Sequence, residues 1–509
     1  MPPTLFSLAL IFAGIALTNA SALNFQGLRI QSHPNEAISH GCHRACSQLS
    51  TSFGSVLHYP EHDRNFTIWD AKQQEVRPAC RVEPSNAAEV ARVLEILVGN
   101  WCRFAVKGGG HSRHPDDSNS VGGVTVDLDR MNAVEVAADR ASARVGGGAT
   151  LSQVYRALEQ YDLSFVGGLV ATVGVGGFTL GGGRSALSNR YGWALDNVYE
   201  YEVVLANGTI TTASENQNPD LYFALRGGSN NFGIVTTFTV RTFPQGPVLN
   251  ARVVYSDDQT EQVLDRVFDL FADPELTSDE DMGYEIYFRY NQTGDFFMLD
   301  SAQRYARPIE SPAVFQAINQ IPALSRTTQI DTMSNVVSSG GEMGTVRHLF
   351  DTTSSLPSRA LLTQAIQIFK EEITAIKTVT DLHPVLICYP IQTNAIAAMK
   401  QRGGNALGID QDEPLFVFLV STGWSSAEED ADVFTMSANT IARIESAAKE
   451  LGVAHPYRYI NYARKGEAEA IFARYGEANV QRMKEIQRAV DPDGVFTSHG
   501  LWTGFMKLL

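Results

Sequence analysis

Three glycine-rich runs crowd into one stretch of this 509-residue chain and constrain its fold more than any other feature. They are KGGGHS over 107–112, GGG over 146–148, and a long run from Gly167 that includes TVGVGGFTLGGG at 172–183. A glycine loses more backbone entropy on folding than any other residue, so tight turns alone are a poor reason for such density. A backbone without Cβ atoms does let N–H groups close in on a pyrophosphate. The runs are not the dinucleotide fingerprint, because no G-x-G-x-x-G follows an N-terminal strand, and none ends in the Lys-Ser/Thr of a P-loop. H-E-x-x-H and G-x-S-x-G are missing too, which removes the commonest zinc-protease and serine-hydrolase signatures. A cradle for another phosphate-bearing cofactor remains.

The surroundings read as α+β. Asn86 precedes an amphipathic helix carrying Val90, Val93, Leu94 and Leu97, and a short buried strand follows at 104–106. Val124, Val126 and Leu128 alternate as a strand, 143–145 is another, and Thr150 with Gln153 forms a capping box. The strand 198–205 reaches Asn207-Gly208, a type I′ hairpin signal, and returns through Ile210; a further strand spans 234–240. After FPQGP at 243–247 the glycine runs stop. There Tyr284, Ile286, Phe288 and Tyr290 alternate as a strand, and 425–451 reads as a long helix with Val433, Phe434, Ile441 and Ile444 inward. A last helix carries Val480, Met483 and Ile486 and stops at Asp491-Pro492.

With 44% apolar and 19% charged residues the chain is globular, and 56 acidic against 40 basic side chains give −16, which disfavours nucleic acid and anionic membranes as partners. The apolar run 5–17 followed by Ala20-Ser21-Ala22 is a secretory signal by length and small-residue ending, too short to span a bilayer. In an oxidising compartment Cys42, Cys46, Cys80 and Cys102 are expected in two disulfides, in any of three pairings, with Cys388 a free buried thiol. No metal site is expected, since the Cys42/Cys46 pair has no second pair at ligand spacing. Asn65, Asn207 and Asn291 head glycosylation sequons.

FAVKGGGHS at 104–112, TVGVGGFTLGGG at 172–183, Tyr191-Gly192 with DNV at 196–198, RGGSNNFGIV at 226–235, and YINY at 459–462 with Tyr475-Gly476 and Asp491-Pro492 together resemble a known family. It is the FAD-linked oxidases of the vanillyl-alcohol oxidase type, in their secreted berberine bridge enzyme-like branch. The resemblance covers nearly the whole mature chain. It implies a two-domain α+β fold: signal 1–22, N-terminal segment 23–69, FAD-binding domain 70–245, substrate domain 246–455, and a segment 456–509 returning to the FAD domain. It implies FAD held by Lys107, Gly108, Gly109, Gly110, Ser112, Thr172, Val173, Gly174, Gly176, Gly177, Thr179, Gly182, Asn197, Gly233, Ile234 and Val235. His111 is the implied attachment point, through an imidazole nitrogen to the flavin 8α-methyl. Many relatives add a thioether from a Cys, but VATVG at 170–174 has Val170 there, so attachment through His111 alone is expected.

Tyr462, beside Asn461, stands where relatives direct a base at the substrate, and these two are the expected catalytic residues. A phenol near pKa 10 needs a nearby cation or the flavin dipole to lower it, and Arg464 and Lys465 are candidates for that field. Arg113 and His114 replace an active-site Tyr of many plant relatives, leaving open whether a cation there favours an anionic reduced flavin or an acidic substrate, or faces solvent. The expected activity is a secreted, monomeric FAD-dependent oxidase. It takes hydride from a C–H bond next to oxygen or nitrogen of a small secondary metabolite, with O2 as acceptor and H2O2 as product. An oligosaccharide oxidase is the alternative, and a silent ligand-binding protein of the same fold a further one.

Overall fold

Alternating strands and capped helices build three main sheets. The computed structural model describes residues 38–337, 343–497 and 500–508, so the expected signal 1–22 lies outside the described residues. The first sheet has four strands in the order Leu57–His58, Cys80–Val82, Val124–Asp127, Phe104–Lys107, with the last three parallel. The helix Ala87–Gly99 makes the crossover between them; the Asn86 side chain accepts from the backbone N–H of Glu89 and so caps its start. Cys42 joins Cys102 and Cys46 joins Cys80, tying the helix His40–Phe53 to this sheet. The cross-links close separations of 60 and 34 residues. Loops of that size stabilise a fold by roughly 2–4 kcal/mol each. Cys388 is free and buried.

A second, antiparallel sheet has five strands, with Ile234–Arg241 at its centre between Ser142–Gly146 and Val198–Val204. The hairpin from Val198–Val204 to Ile210–Ser214 forms, but its turn differs from the expected type I′. That type needs positive φ at both central residues, and here Gly208 alone has it, at +80°. Gly208 N–H bonds Leu205 O and Leu205 N–H bonds Thr209 O, so the turn crosses Ala206 and Asn207 and Gly208 absorbs the left-handed step.

The third sheet has eight antiparallel strands, ordered Ser325–Asp331, Val248–Ser256, Phe296–Tyr305, Met282–Asn291, His383–Ile391, Leu415–Trp424, Arg347–Ser355 and Ala454–His455. One face packs on the helices Thr260–Ala272, Arg359–Ile376 and Asp430–Glu450, burying Tyr284, Ile286, Phe288 and Tyr290. The long helix starts at Asp430, later than the expected 425, because Ala427–Glu429 form a 3-10 turn first. Phe434 is half-buried against this core, while Val433, Ile441 and Ile444 are inside it. With one sheet face sealed, the alternate residues look the other way.

The chain's end returns to the first sheet. Phe104 N–H bonds Leu501 O, Thr503 N–H bonds Phe104 O, and the Asn231 amide is bonded to Met506 and Leu508. A single apolar core joins the second sheet, Tyr389 and Val417 of the third, and Tyr457, Tyr459, Ile471, Met506 and Leu508 of the C-terminal segment. Among the described residues no helix is long and apolar enough to cross a membrane.

Candidate active site

Between the glycine runs and the open face of the eight-stranded sheet lies a cavity of about 670 Å³. One wall is backbone. Gly108, Gly109, Gly110, Gly147, Gly174, Gly176 and Gly177 line it, with Gly233, Ile234 and Val235. Gly109 and Gly174 touch main chain to main chain: a Cβ on either would stand 2.2 Å from the other's nitrogen. At Gly177 a Cβ would meet nothing within 4 Å, so no packing demands that glycine, and a side chain there would project into the cavity. Such a wall suits a bulky group with a phosphate chain, which makes the residues present a fit for FAD.

His111 lies on this wall, its Nε2 2.7 Å from Thr172 Oγ1. It stacks on Trp69 at 4.4 Å, and Trp69 stacks in turn on His348 at 3.8 Å. Burial, with smaller contributions from His348 and Arg113, depresses the His111 pKa to about 3, so the imidazole is neutral throughout the physiological range. Ser112 lines the cavity and its hydroxyl donates to Asp117. Val173 and Val170 line it as well.

Five residues expected to bind cofactor do not line the cavity. Lys107 spends its ammonium on Asp127 at 3.0 Å, and Thr172 serves His111. Thr179 lies buried in the short helix Val175–Leu180. Gly182, at φ +141°, is packed under Trp193 and Tyr459, and the Asn197 amide holds the carbonyls of Tyr191 and Trp193. These residues shape the wall from behind.

Tyr462 and Asn461 reach the cavity from the C-terminal segment. Tyr462 packs edge-on against Phe350 at 5.6 Å and Tyr459 at 4.6 Å. The Asn461 amide donates to Phe178 O at 3.0 Å and Tyr459 Oη at 2.9 Å, so it fastens Tyr462's backbone to the glycine wall. The cations expected beside Tyr462 are a correction: Lys465 is paired with Asp117 at 2.6 Å and Arg464 with Asp351 at 2.7 Å. Arg184 and Arg113 are the ones that act on Tyr462, yet burial outweighs them and its pKa lies above the ordinary tyrosine value. Arg113 and His114 are both buried, which removes the solvent-facing option for them. His114 stacks on Phe505, and its Nε2 accepts from Lys465 N–H at 3.2 Å.

The other wall is the sheet. Because Tyr284, Ile286, Phe288 and Tyr290 face the helices, Glu285, Tyr287 and Arg289 face the cavity, joined across the ladder by Arg252 and Arg304. Glu285 sits between Arg184 at 2.6 Å and Arg304 at 2.5 Å, and accepts from Tyr287 Oη. Burial would raise its carboxyl, but the two guanidinium groups win and hold it at about 2, while burial and Glu285 push Tyr287 up to about 12. Asp300, in register with Tyr287, takes Arg289 at 2.6 Å and also Arg252. Tyr389 is packed in the core, with the Arg184 guanidinium 3.9 Å over its ring. Among the described residues no group of three or more His, Cys, Asp or Glu side chains is placed to hold a metal ion.

Comparison with known proteins meets this site. Residues 78–214 match the family model of an FAD binding domain. The FAD-dependent monooxygenase tpcD of Cochliobolus heterostrophus is 34% identical over 490 residues, covering 90% of this chain and 93% of its own. Among solved structures, BBE-like 1 of Physcomitrella patens has TM-score 0.71 at 21% identity, covering 91% of this chain and 99% of its own. A glucooligosaccharide oxidase of Acremonium strictum, studied for its 6-S-cysteinyl, 8α-N1-histidyl FAD, has TM-score 0.69 at 18% identity, with the same coverages.

Proposed function

Because the chain belongs to the family of FAD-dependent oxidoreductases that share this FAD-binding domain, we propose that it is a secreted oxidase of small secondary metabolites. It removes hydride from a C–H bond next to oxygen or nitrogen and yields H2O2 from O2. The observation that supports this reading most is that Tyr462, hundreds of residues away in sequence, meets the glycine runs and His111 on one cavity. Bound FAD supplies the two-electron acceptor.

Gly108, Gly109, Gly110, Gly174, Gly176, Gly177, Gly233, Ile234 and Val235 hold the cofactor, and His111 is its covalent attachment. The bond needs an imidazole nitrogen with a free lone pair. Nε2 is engaged by Thr172 Oγ1 at 2.7 Å, and the tautomer in which Nε2–H donates to that hydroxyl is the one that leaves the lone pair on Nδ1. Val170 lines the cavity and carries no sulfur, so attachment is single. Tyr462 takes the proton from the substrate hydroxyl or amine while hydride leaves the adjacent carbon. Its raised pKa makes this more effective as pH climbs. Asn461, expected as catalytic, is better read as a positioning residue, since its amide is spent on Phe178 and Tyr459. The FAD-binding part comprises 70–245 with 456–509, and 246–455 covers the substrate. Two disulfides fit an oxidising compartment. Asn65 and Asn207 are exposed for glycosylation, whereas Asn291 is half-buried.

The test is a screen of the FAD-loaded protein under labelled O2, with aromatic alcohols, amines and cello-oligosaccharides, read by peroxide and by mass of the product. An oxidase of small metabolites gives one peroxide per two-hydrogen loss from an alcohol or amine, with no label in the product. Label incorporated without peroxide points to monooxygenation, and peroxide from oligosaccharides alone to the sugar-oxidising alternative.

A further inference from the structure

The sheet wall is cationic on a chain whose formal charge is −16. Arg184 and Arg304 share the single carboxylate of Glu285, and Arg252 and Arg289 share that of Asp300. Each group of three is therefore left with one positive charge. Arg113 adds a third, and its situation differs from the other four. It is 6% exposed, lines the cavity, and has no carboxylate within salt-bridge distance among the described residues. Its Nη2 donates to Asn461 O at 2.9 Å, its Cζ lies 4.3 Å from the centre of the Phe350 ring, and its Nε is buried without a partner among the described residues. Burying a guanidinium with most of its five donors unspent is costly unless something else in the cavity takes them. Burial lowers its pKa only to about 10, so it keeps its charge at neutral pH. Asp117, the nearest carboxylate acting on it, is already engaged by Lys465 and Ser112.

We propose that the substrate carries a delocalised oxyanion, either a carboxylate or the enolate of a 1,3-dicarbonyl, and that Arg113 grips it beside Tyr462. The planar fork of a guanidinium matches two oxygens sharing one charge. Arg252 and Arg289, whose side chains are 56% and 34% exposed, draw the anion inward from the more open part of the sheet wall. The proposal rests on the reading of this cavity as a flavin-dependent active site and narrows its substrate.

Calorimetric titration of the purified holoprotein at low salt tests it with matched probes: benzoate against benzamide, and dimedone, largely ionised at pH 7, against cyclohexanone. The flavin spectrum is recorded on the same sample. At least one anion should bind ~10-fold or more tightly than its neutral partner, benzoate marking the carboxylate source and dimedone the enolate. Arg113→Gln should collapse that ratio and Arg113→Lys should restore part of it. Equal binding of anion and neutral partner by the wild-type protein overturns the proposal, and that arm needs no variant to fold. A ratio unchanged in Arg113→Gln also overturns it, and if the flavin potential shifts instead, Arg113 serves the cofactor. A protein without flavin bands that still selects the anion through Arg113 overturns the oxidase reading and leaves the anion site standing.

Discussion

On one side of the cavity the main chains of Gly109 and Gly174 press together so closely that a Cβ on either would stand 2.2 Å from the other's nitrogen. On the other side Glu285, Tyr287 and Arg289 stand on alternate positions of one strand and meet Arg304 from the neighbouring strand and Arg252 from the strand beyond it. The first wall is made by leaving side chains out, the second by pairing charged ones. Where Gly109 and Gly174 meet, the backbone wall tolerates no addition, because main chain cannot step aside. A side-chain wall in which two guanidinium groups share one carboxylate can lose either guanidinium and keep the carboxylate paired, whereas losing the carboxylate leaves two charges uncompensated.

The sharpest way to break this contrast is Gly174→Ala. Overpacking of this kind costs ~1–3 kcal/mol even where neighbours can move, and here the neighbour is backbone. The variant is expected to lose most of its flavin, read as the ratio of visible to ultraviolet absorbance. Wild-type loading would mean that the close approach of the two chains does not shape the cradle. Next in size is Tyr462→Phe, which should keep its colour while the rate of flavin reduction falls ~10²-fold. In the wild-type protein that rate should rise from neutral into alkaline pH, because burial has moved the phenol above 10 and its ionised form is gained only as pH climbs. A plateau reached by pH 7 would assign the proton transfer to another group.

Thr172→Ala removes the hydrogen bond that fixes the His111 tautomer, and should slow covalent flavin attachment ~3- to 10-fold, as one hydrogen bond is worth. Unchanged attachment kinetics would leave Thr172 with a packing role only. The smallest effect is expected at Tyr287→Phe, since Glu285 remains between Arg184 and Arg304. The unfolding midpoint should move by no more than ~2–4 °C. A larger loss would show that the sheet wall is as intolerant as the glycine wall.

The same contrast decides what was legible in the chain. A wall made of glycine is written in consecutive letters, so the wall, the place of His111 on it and the FAD family could be read directly. Alternation at 284–290 identified the strand, and with it the opposite face, but the meaning of Glu285, Tyr287 and Arg289 depends on Arg304 and Arg252 lying beside them. That is a matter of register between strands, which a single strand's pattern does not specify. Long-range contacts hid in the same way. Trp69 stacks between His111 and His348, and Arg113 meets Asn461, a partner 348 positions away. Proximity in sequence misled at Tyr462, where Arg464 and Lys465 turn to Asp351 and Asp117 while Arg184 supplies the field. The four disulfide cysteines were evident, but their pairing follows from the helix His40–Phe53 lying along the first sheet.

The central claim is that this cavity holds FAD bonded to His111. Acid precipitation of the purified protein, followed by proteolysis and mass spectrometry of the pellet, tests it most directly. A yellow pellet whose only flavin-bearing peptide contains His111 is the result the account predicts. Colour that moves entirely into the supernatant, or a flavin peptide that lacks His111, would contradict it.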